Sequence, residues 1–409
     1  MSYLIPWKKW YDQEMLEMNF SADWKVEVLN MKDSPQLSDK EIATAVEKPF
    51  GTKRLAELAY GKKNAVIAID DLTRPTNTER IIPPIVDELG KAGIKPDNII
   101  ILIAMGCHPP MNRLDLIRKL GEEIVENFSI YNHSAFYNLV SLGQSSRGTP
   151  FYIDKLFFER EVKIGVGSIL PSPRAGWGGG GKIILPGVAA AETVLKHHSS
   201  IPGVLLEIDQ NNFRADIEEM ARRSGLDFIV NQVCNGLGQV AGIFAGDMID
   251  AHREGIKFAR QIYATPPPKQ LLDVAICNSF PMDTNITQVR KALNVFRPGF
   301  TNLIQPDGSI VIVGAAPEGT SFHHLGSYQL PTWNAVWASA LTRDVIAGRQ
   351  LIIFSPYLRQ QDLNESFFRG NGITKLCKNW AEVLLSLQSR HQGEARVGIF
   401  PSGMLQILE

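Results

Sequence analysis

The chain's most reactive-looking stretch is four consecutive glycines, Gly178, Gly179, Gly180 and Gly181, followed at once by Lys182. Residues without Cβ let a backbone press against a ligand and turn its N–H groups toward it, and the lysine then stands at the rim of that cradle with an amine. Adjacent histidines follow, His197 and His198, the second sixteen residues past the lysine. Imidazole carries protons near neutral pH and can also serve as a metal donor. Three further runs gather polar groups: DDLTRPT holds Asp71, Thr73 and Arg74, GCHPPMN fixes His108 between a glycine and two prolines, and DTNITQVRK sets Gln288 and Lys291 one helical turn apart. PEGTSFHH adds His323 and His324. Plain alternatives exist for these runs: a capped turn, a solvated helical face, a solvated histidine pair.

Two familiar glycine motifs fit on paper and fail on context. Gly176 to Lys182 reads as the first seven positions of a P-loop, but Ile183 stands where a Ser or Thr should hold magnesium. Gly176, Gly178 and Gly181 also satisfy the spacing of a dinucleotide fingerprint, yet the following Ile183-Ile184-Leu185-Pro186-Gly187 is a poor helix start.

The elements that must position these residues read as α/β. Asn64 to Asp70 and Asn98 to Ala104 are short apolar runs rich in Val and Ile, separated by a helix over 79–93; this β-α-β order predicts a parallel sheet whose carboxyl edge carries both DDLTRPT and GCHPPMN. Glu161 to Ile169 is a third such strand and feeds the glycine run. Ser38 to Glu41 forms a capping box, and helices are expected over 212–225 and 247–263. Pro266, Pro267 and Pro268 make a stiff connector, after which strands at Leu271–Cys277, Ser309–Val313, Gln350–Phe354 and Arg396–Phe400 alternate with helices from Asn285 and over 334–347 and 374–389. The expected architecture is two α/β domains with mainly parallel sheets and a cleft between them: residues 1–264, then 265–390 closing over the site, with a tail over 391–409 that packs back on the first.

Composition narrows the function classes. Basic and acidic residues number 42 and 43, and no apolar run reaches membrane-spanning length, so neither a nucleic acid nor a membrane is expected as a partner. Four cysteines without a C-x-x-C pair fit a reducing compartment, and a cytoplasmic location is expected.

Taken in order, DDLTRPT, GCHPPMN, SSRGTP, AGWGGGGKIILPG with His198, DTNITQVRK and PEGTSF resemble the lactate racemase family, over most of the chain. The resemblance implies a nickel-pincer nucleotide, the nickel pyridinium-3-thioamide-5-thiocarboxylic acid mononucleotide, bound covalently to Lys182. It implies that His198 is the protein's nickel ligand, that Asp71, Thr73, Gln288 and the four glycines contribute to cofactor binding, and that His108, Arg74 and Lys291 act on the substrate, His108 as proton acceptor and Lys291 as carboxylate partner. The substrate class is a 2-hydroxy acid, inverted by hydride transfer to and from the cofactor; proteins that assemble the cofactor are implied as partners.

The chain departs from the family pattern at Ser172, which occupies the position of a second catalytic histidine, and at Cys107, Pro109 and Asn112 around His108. A serine is not a base near neutral pH without an activating partner. Arg174, His323 or His324 could take over that role, a larger substrate such as a sugar acid could supply its own hydroxyl, or the enzyme could run a one-sided redox step. The reading is a racemase or epimerase for a 2-hydroxy acid other than lactate. A non-catalytic homologue that keeps the cofactor fold and a conventional nucleotide-dependent α/β enzyme are the alternatives.

Overall fold

The computed structural model describes residues 2–296, 300, 302–327, 345–364 and 374–409. The chain opens with an antiparallel hairpin, β1 (Ser2–Trp7) and β2 (Glu14–Asn19), followed by β3 (Lys25–Val28). The expected capping box is present: the Ser38 N–H donates to the Glu41 carboxylate at 2.7 Å and the Glu41 N–H to the Ser38 hydroxyl at 3.3 Å, opening the helix Asp39–Glu47.

Next come β4 (Ala65–Ile69), β5 (Ile99–Ile103) and β6 (Ser129–Asn132), then a hairpin of β7 (Leu139–Gln144) and β8 (Pro150–Asp154), then β9 (Val162–Ser168). A two-residue ribbon of β10 (Pro171–Ser172) and β11 (Gly176–Trp177) precedes β12 (Phe228–Cys234) and β13 (Val240–Gly246). Among the described residues the first sheet has the order β13-β12-β9-β4-β5-β6, parallel except for β13. Every residue of β4 and β5 is buried. A strand covered on both faces needs a continuous apolar run, which is why AVIAI and IIILI show no alternation. Because β9, β4 and β5 are neighbours, their three carboxyl ends deliver the glycine loop, the Asp71 loop and the His108 loop to one edge.

Beyond β14 (Ala264–Thr265) the chain builds a second sheet from β15 (Leu272–Asn278), β16 (Ile304–Val313), β17 (Gln350–Phe354), β18 (Thr374–Cys377) and β19 (Arg396–Phe400), and ends with β20 (Ile407–Leu408). Its order is β18-β17-β16-β15-β19-β3, all parallel. The α/β class with mainly parallel sheets is therefore as expected. Two details differ, and one expectation lies largely outside the described residues. The helix expected over 374–389 starts only at Trp380, capped by Asn379, because Thr374–Cys377 pairs with β17 instead. The helix expected over 334–347 falls for the most part outside the described residues. The first 28 residues, expected within the first unit, lie instead with the second sheet: β3 pairs with β19, and Ile5, Trp7, Met18, Phe20 and Trp24 share one apolar core with β15 to β17. β20 pairs with β14, tying the end of the described chain to residues 264–265.

Candidate active site

The loop after β4 is fixed from beneath by a buried lysine. Lys119 Nζ donates to Asp70 Oδ1 at 2.8 Å and to the carbonyls of Asp71 and Arg74 at 3.0 and 2.9 Å. Asp70 is also held by the Thr76 hydroxyl at 2.5 Å. With Asp70 so engaged, Asp71 turns to His108, whose Nδ1 lies 2.7 Å from Asp71 Oδ2. The Thr73 N–H and hydroxyl both donate to Asp71 Oδ1, at 2.7 and 2.5 Å. Burial works to raise the Asp71 pKa, but His108, Arg74 and Thr73 outweigh it and hold the carboxyl below the usual range. A carboxylate at Nδ1 fixes that proton there and leaves the lone pair on Nε2, the arrangement of an oriented general base. Gly106 lets the His108 loop approach its neighbour: its φ is +57°, a Cβ there would lie 2.9 Å from the Pro186 carbonyl oxygen, and its N–H donates to the Gly187 carbonyl at 2.8 Å.

The four glycines use their missing side chains inside the protein. A Cβ at Gly179 would stand 2.7 Å from Asn231 Oδ1, at Gly180 3.0 Å from His252 Cγ, and at Gly181 2.8 Å from Ala221 Cβ. The Gly178 N–H donates to the Leu170 carbonyl at 2.6 Å and the Gly180 N–H to Asn231 Oδ1 at 2.7 Å. Arg214, fully buried, collects the carbonyls of Ala175, Trp177 and Gly179, and the His252 Nε2–H donates to the Gly178 carbonyl at 2.7 Å. The loop is thus gripped by its carbonyls from one side. Lys182, in the single 3-10 turn Gly180–Ile183, has no hydrogen-bond or ion-pair partner for its amine among the described residues and lines a cavity. Burial, then the charges of Arg214 and Arg74, push that amine down to about 7.

The histidine pair divides as adjacent helical residues should. In the helix Ala191–Ser200, His197 turns inward, its ring 3.9 Å from that of Phe213 and its Nε2 3.1 Å from the Phe213 carbonyl. His198 lines the cavity, and its Nδ1–H donates to the Val194 carbonyl at 2.9 Å, placing the lone pair on Nε2. Burial first, then His197 and Lys182, keep His198 well below its ordinary pKa, so the ring is neutral, the form in which an imidazole can donate to a metal.

The second sheet contributes through the turn after β15, where the helix Ile286–Val289 runs into the 3-10 helix Arg290–Val295. Lys291 Nζ donates to Gln288 Oε1 at 2.5 Å, and Arg74 Nη1 reaches the same oxygen at 3.4 Å. Burial, then Arg74 and Arg290, hold the Lys291 amine well below its ordinary pKa. A cluster of basic groups with so little carboxylate beside it favours an anion.

All of this surrounds one cavity of about 860 Å³. Asp71, Arg74, His108, Ser172, Gly178, Gly179, Gly180, Lys182, His198, Gln288 and Lys291 line it. Two expected residues do not. Thr73 lies behind Asp71, Arg74 and His108, and Gly181 faces Ala221 and Ile217 of the helix Asn212–Arg223. The sequence reading missed Lys119, Arg214, His252 and Arg290. Arg214 and His252 left a signal: each sits on the apolar face of its helix, beside Phe213 and Ile217 or Ala251 and Ile256, where only a bonded polar group is stable.

Comparison with known proteins points to one family. Residues 11–204 match the model of the lactate racemase N-terminal domain. The lactate racemase of Lactiplantibacillus plantarum is 28% identical over 396 residues, 90% of this chain and 91% of that protein. That of Thermoanaerobacterium thermosaccharolyticum is 32% identical over 290 residues, 68% of this chain and 66% of that protein. The lactate racemase apoprotein structure from the latter organism superposes with a TM-score of 0.77 at 25% identity, covering 100% of both chains. A Thermotoga maritima crystal structure shares the fold, with a TM-score of 0.66 at 17% identity over 92% of this chain.

Proposed function

The chain belongs to the lactate racemase family, and on that premise we propose that it inverts the stereocentre of a 2-hydroxy acid with a nickel-pincer nucleotide held covalently by Lys182. The observation that carries this reading is that an amine without a partner among the described residues, a neutral imidazole and an Asp-oriented imidazole line the same cavity. An amine that is half neutral near pH 7 suits covalent attachment. His198 supplies one metal donor; no group of three or more His, Cys, Asp or Glu able to hold a metal occurs among the described residues, so the other donors would come from the cofactor. When bound, that cofactor would take the α-hydrogen of the substrate as hydride and return it.

The chain's own residues have the remaining tasks. His108, its proton directed at Asp71, takes the hydroxyl proton on Nε2 and gives it back. Arg74 and Lys291, joined through Gln288, grip the carboxylate. Glycines 178–180 line the cavity where a cofactor phosphate would approach the backbone. The two units expected from the sequence, 1–264 and 265–390, each bring part of this set. Ser172 is smaller than the histidine of the family pattern, which favours a bulkier acid than lactate, such as a sugar acid.

The test is inversion of a panel of 2-hydroxy acids in D₂O, by protein produced together with the cofactor-assembly proteins. Hydride return keeps protium at the α-carbon of the product. Deuterium at that carbon would mean proton abstraction instead, and would sink this mechanism.

A further inference from the structure

Arg174, His323 and His324 are the side chains that could compensate for the imidazole missing at Ser172, and the structure separates them. Arg174 is committed elsewhere, donating to the His198 carbonyl and lying 5.3 Å over the Phe213 ring. The His324 ring packs 4.8 Å from both Phe136 and Phe322 and does not line the cavity. His323 does line it, edge to face with His108 at 5.3 Å and 67°. The segment carrying it is anchored on both sides. The Ala316 N–H donates to the Asp283 carbonyl at 2.7 Å, the His324 N–H donates to the Cys107 carbonyl at 2.9 Å beside His108, and Leu325 is buried in the core that covers β4 and β5.

The bond that decides the chemistry is local: the Leu325 N–H donates to His323 Nδ1 at 3.3 Å. A ring nitrogen that accepts from a backbone N–H carries no proton, so the proton sits on Nε2. His108 has the opposite tautomer, with its proton on Nδ1 facing Asp71.

We propose that His323 is a further substrate-binding residue, its Nε2–H holding the reacting oxygen of the 2-hydroxy acid and of its 2-keto form while His108 alone exchanges the proton. This rests on the reading of the site as a 2-hydroxy acid racemase. The cavity therefore pairs one imidazole base with one imidazole donor, an asymmetric arrangement in which Ser172 needs no basicity. Among the described residues, the titratable groups acting on His323 are His108, His324 and Asp71, and burial keeps its ring neutral down to about 3.

The experiment uses the full chain, produced with the cofactor-assembly proteins and labelled with ¹⁵N at its eight histidines. Pyruvate, the smallest 2-keto acid, is the probe, and His323→Gln identifies the His323 resonances. His323 is expected as the neutral Nε2–H tautomer from pH 8 to pH 5, with that N–H shifting on addition of pyruvate. His323→Leu should weaken pyruvate binding about tenfold, and His323→Gln, whose amide N–H reaches a similar position, should recover most of it. An Nδ1–H tautomer overturns the proposal, as does pyruvate binding that leaves the His323 ring unmoved, or a Gln variant as weak as the Leu variant. A different result would sink the parent reading alone: wild-type protein that engages pyruvate through His323 yet inverts no 2-hydroxy acid.

Discussion

At the scale of single residues, the site depends on two groups whose environments fix their protonation. Asp71 holds the His108 tautomer from 2.7 Å. Asp71→Asn keeps the size and loses the charge, so turnover should fall about 10²- to 10⁴-fold, the usual worth of a positioned base, while Lys182 still carries its cofactor. Cofactor lost from this variant would show that Asp71 holds the nucleotide. Lys182 gives a test in pH. Its amine is moved from 10.5 to about 7, so the reactive neutral form is about half populated at pH 7 and grows as pH rises. Labelling of the cofactor-free chain with dinitrofluorobenzene, followed on the Lys182 peptide, should show a midpoint near 7. Removing a neighbouring positive charge with Arg74→Leu should move that midpoint upward, and a Lys182 that labels like an exposed lysine would contradict the assigned burial.

At the scale of elements, the strands that build the site were legible because a strand covered on both faces needs an unbroken apolar run; AVIAI and IIILI supply it, and VKIGVGS departs from it at the half-buried Lys163 and the terminal Ser168. The first 28 residues were not: β2 and β3 are largely exposed, and the apolar residues of this stretch find partners in β15 to β17, β19 and the helix Trp380–Arg390, hundreds of positions later. The glycine run was legible as a close approach of backbone, but not as an approach to what. The sequence pointed to a ligand, and the structure adds a second surface, Asn231, His252 and Ala221, against which the other side of the loop is pressed. Two substitutions separate these effects. Gly148 has φ +78° with nothing within 4 Å of a new Cβ, so Gly148→Ala should cost about 1 kcal/mol of backbone strain and leave the site intact. Gly179, at φ +74° and ψ −169°, is in a region reserved for glycine and meets Asn231; Gly179→Ala should cost about 1–3 kcal/mol in denaturant titration and also lower cofactor attachment.

At the scale of the whole molecule, the turn of the N-terminal hairpin joins the parts that carry the two halves of the cavity. The N–H groups of Lys8 and Lys9 donate to Asp283, the Tyr11 hydroxyl donates to Glu318 at 2.7 Å, and Lys9 Nζ reaches Asn77 and the Gly238 carbonyl at 3.1 and 2.8 Å. Trp24, nearly buried at 4%, belongs to the core under the second sheet, so Trp24→Ala should cost about 3–5 kcal/mol although it lies nowhere near the cavity. No helix among the described residues is long and apolar enough to cross a membrane. Every role proposed for the cavity depends on the cofactor, and the most direct test is intact mass with nickel content on protein produced alongside the cofactor-assembly proteins. The prediction is a mass increment on the peptide containing Lys182 with about one nickel per chain, the increment absent from Lys182→Ala. Unmodified, nickel-free wild-type protein under those conditions would contradict it, and the cavity would then have to be reread as the site of a free nucleotide or of none.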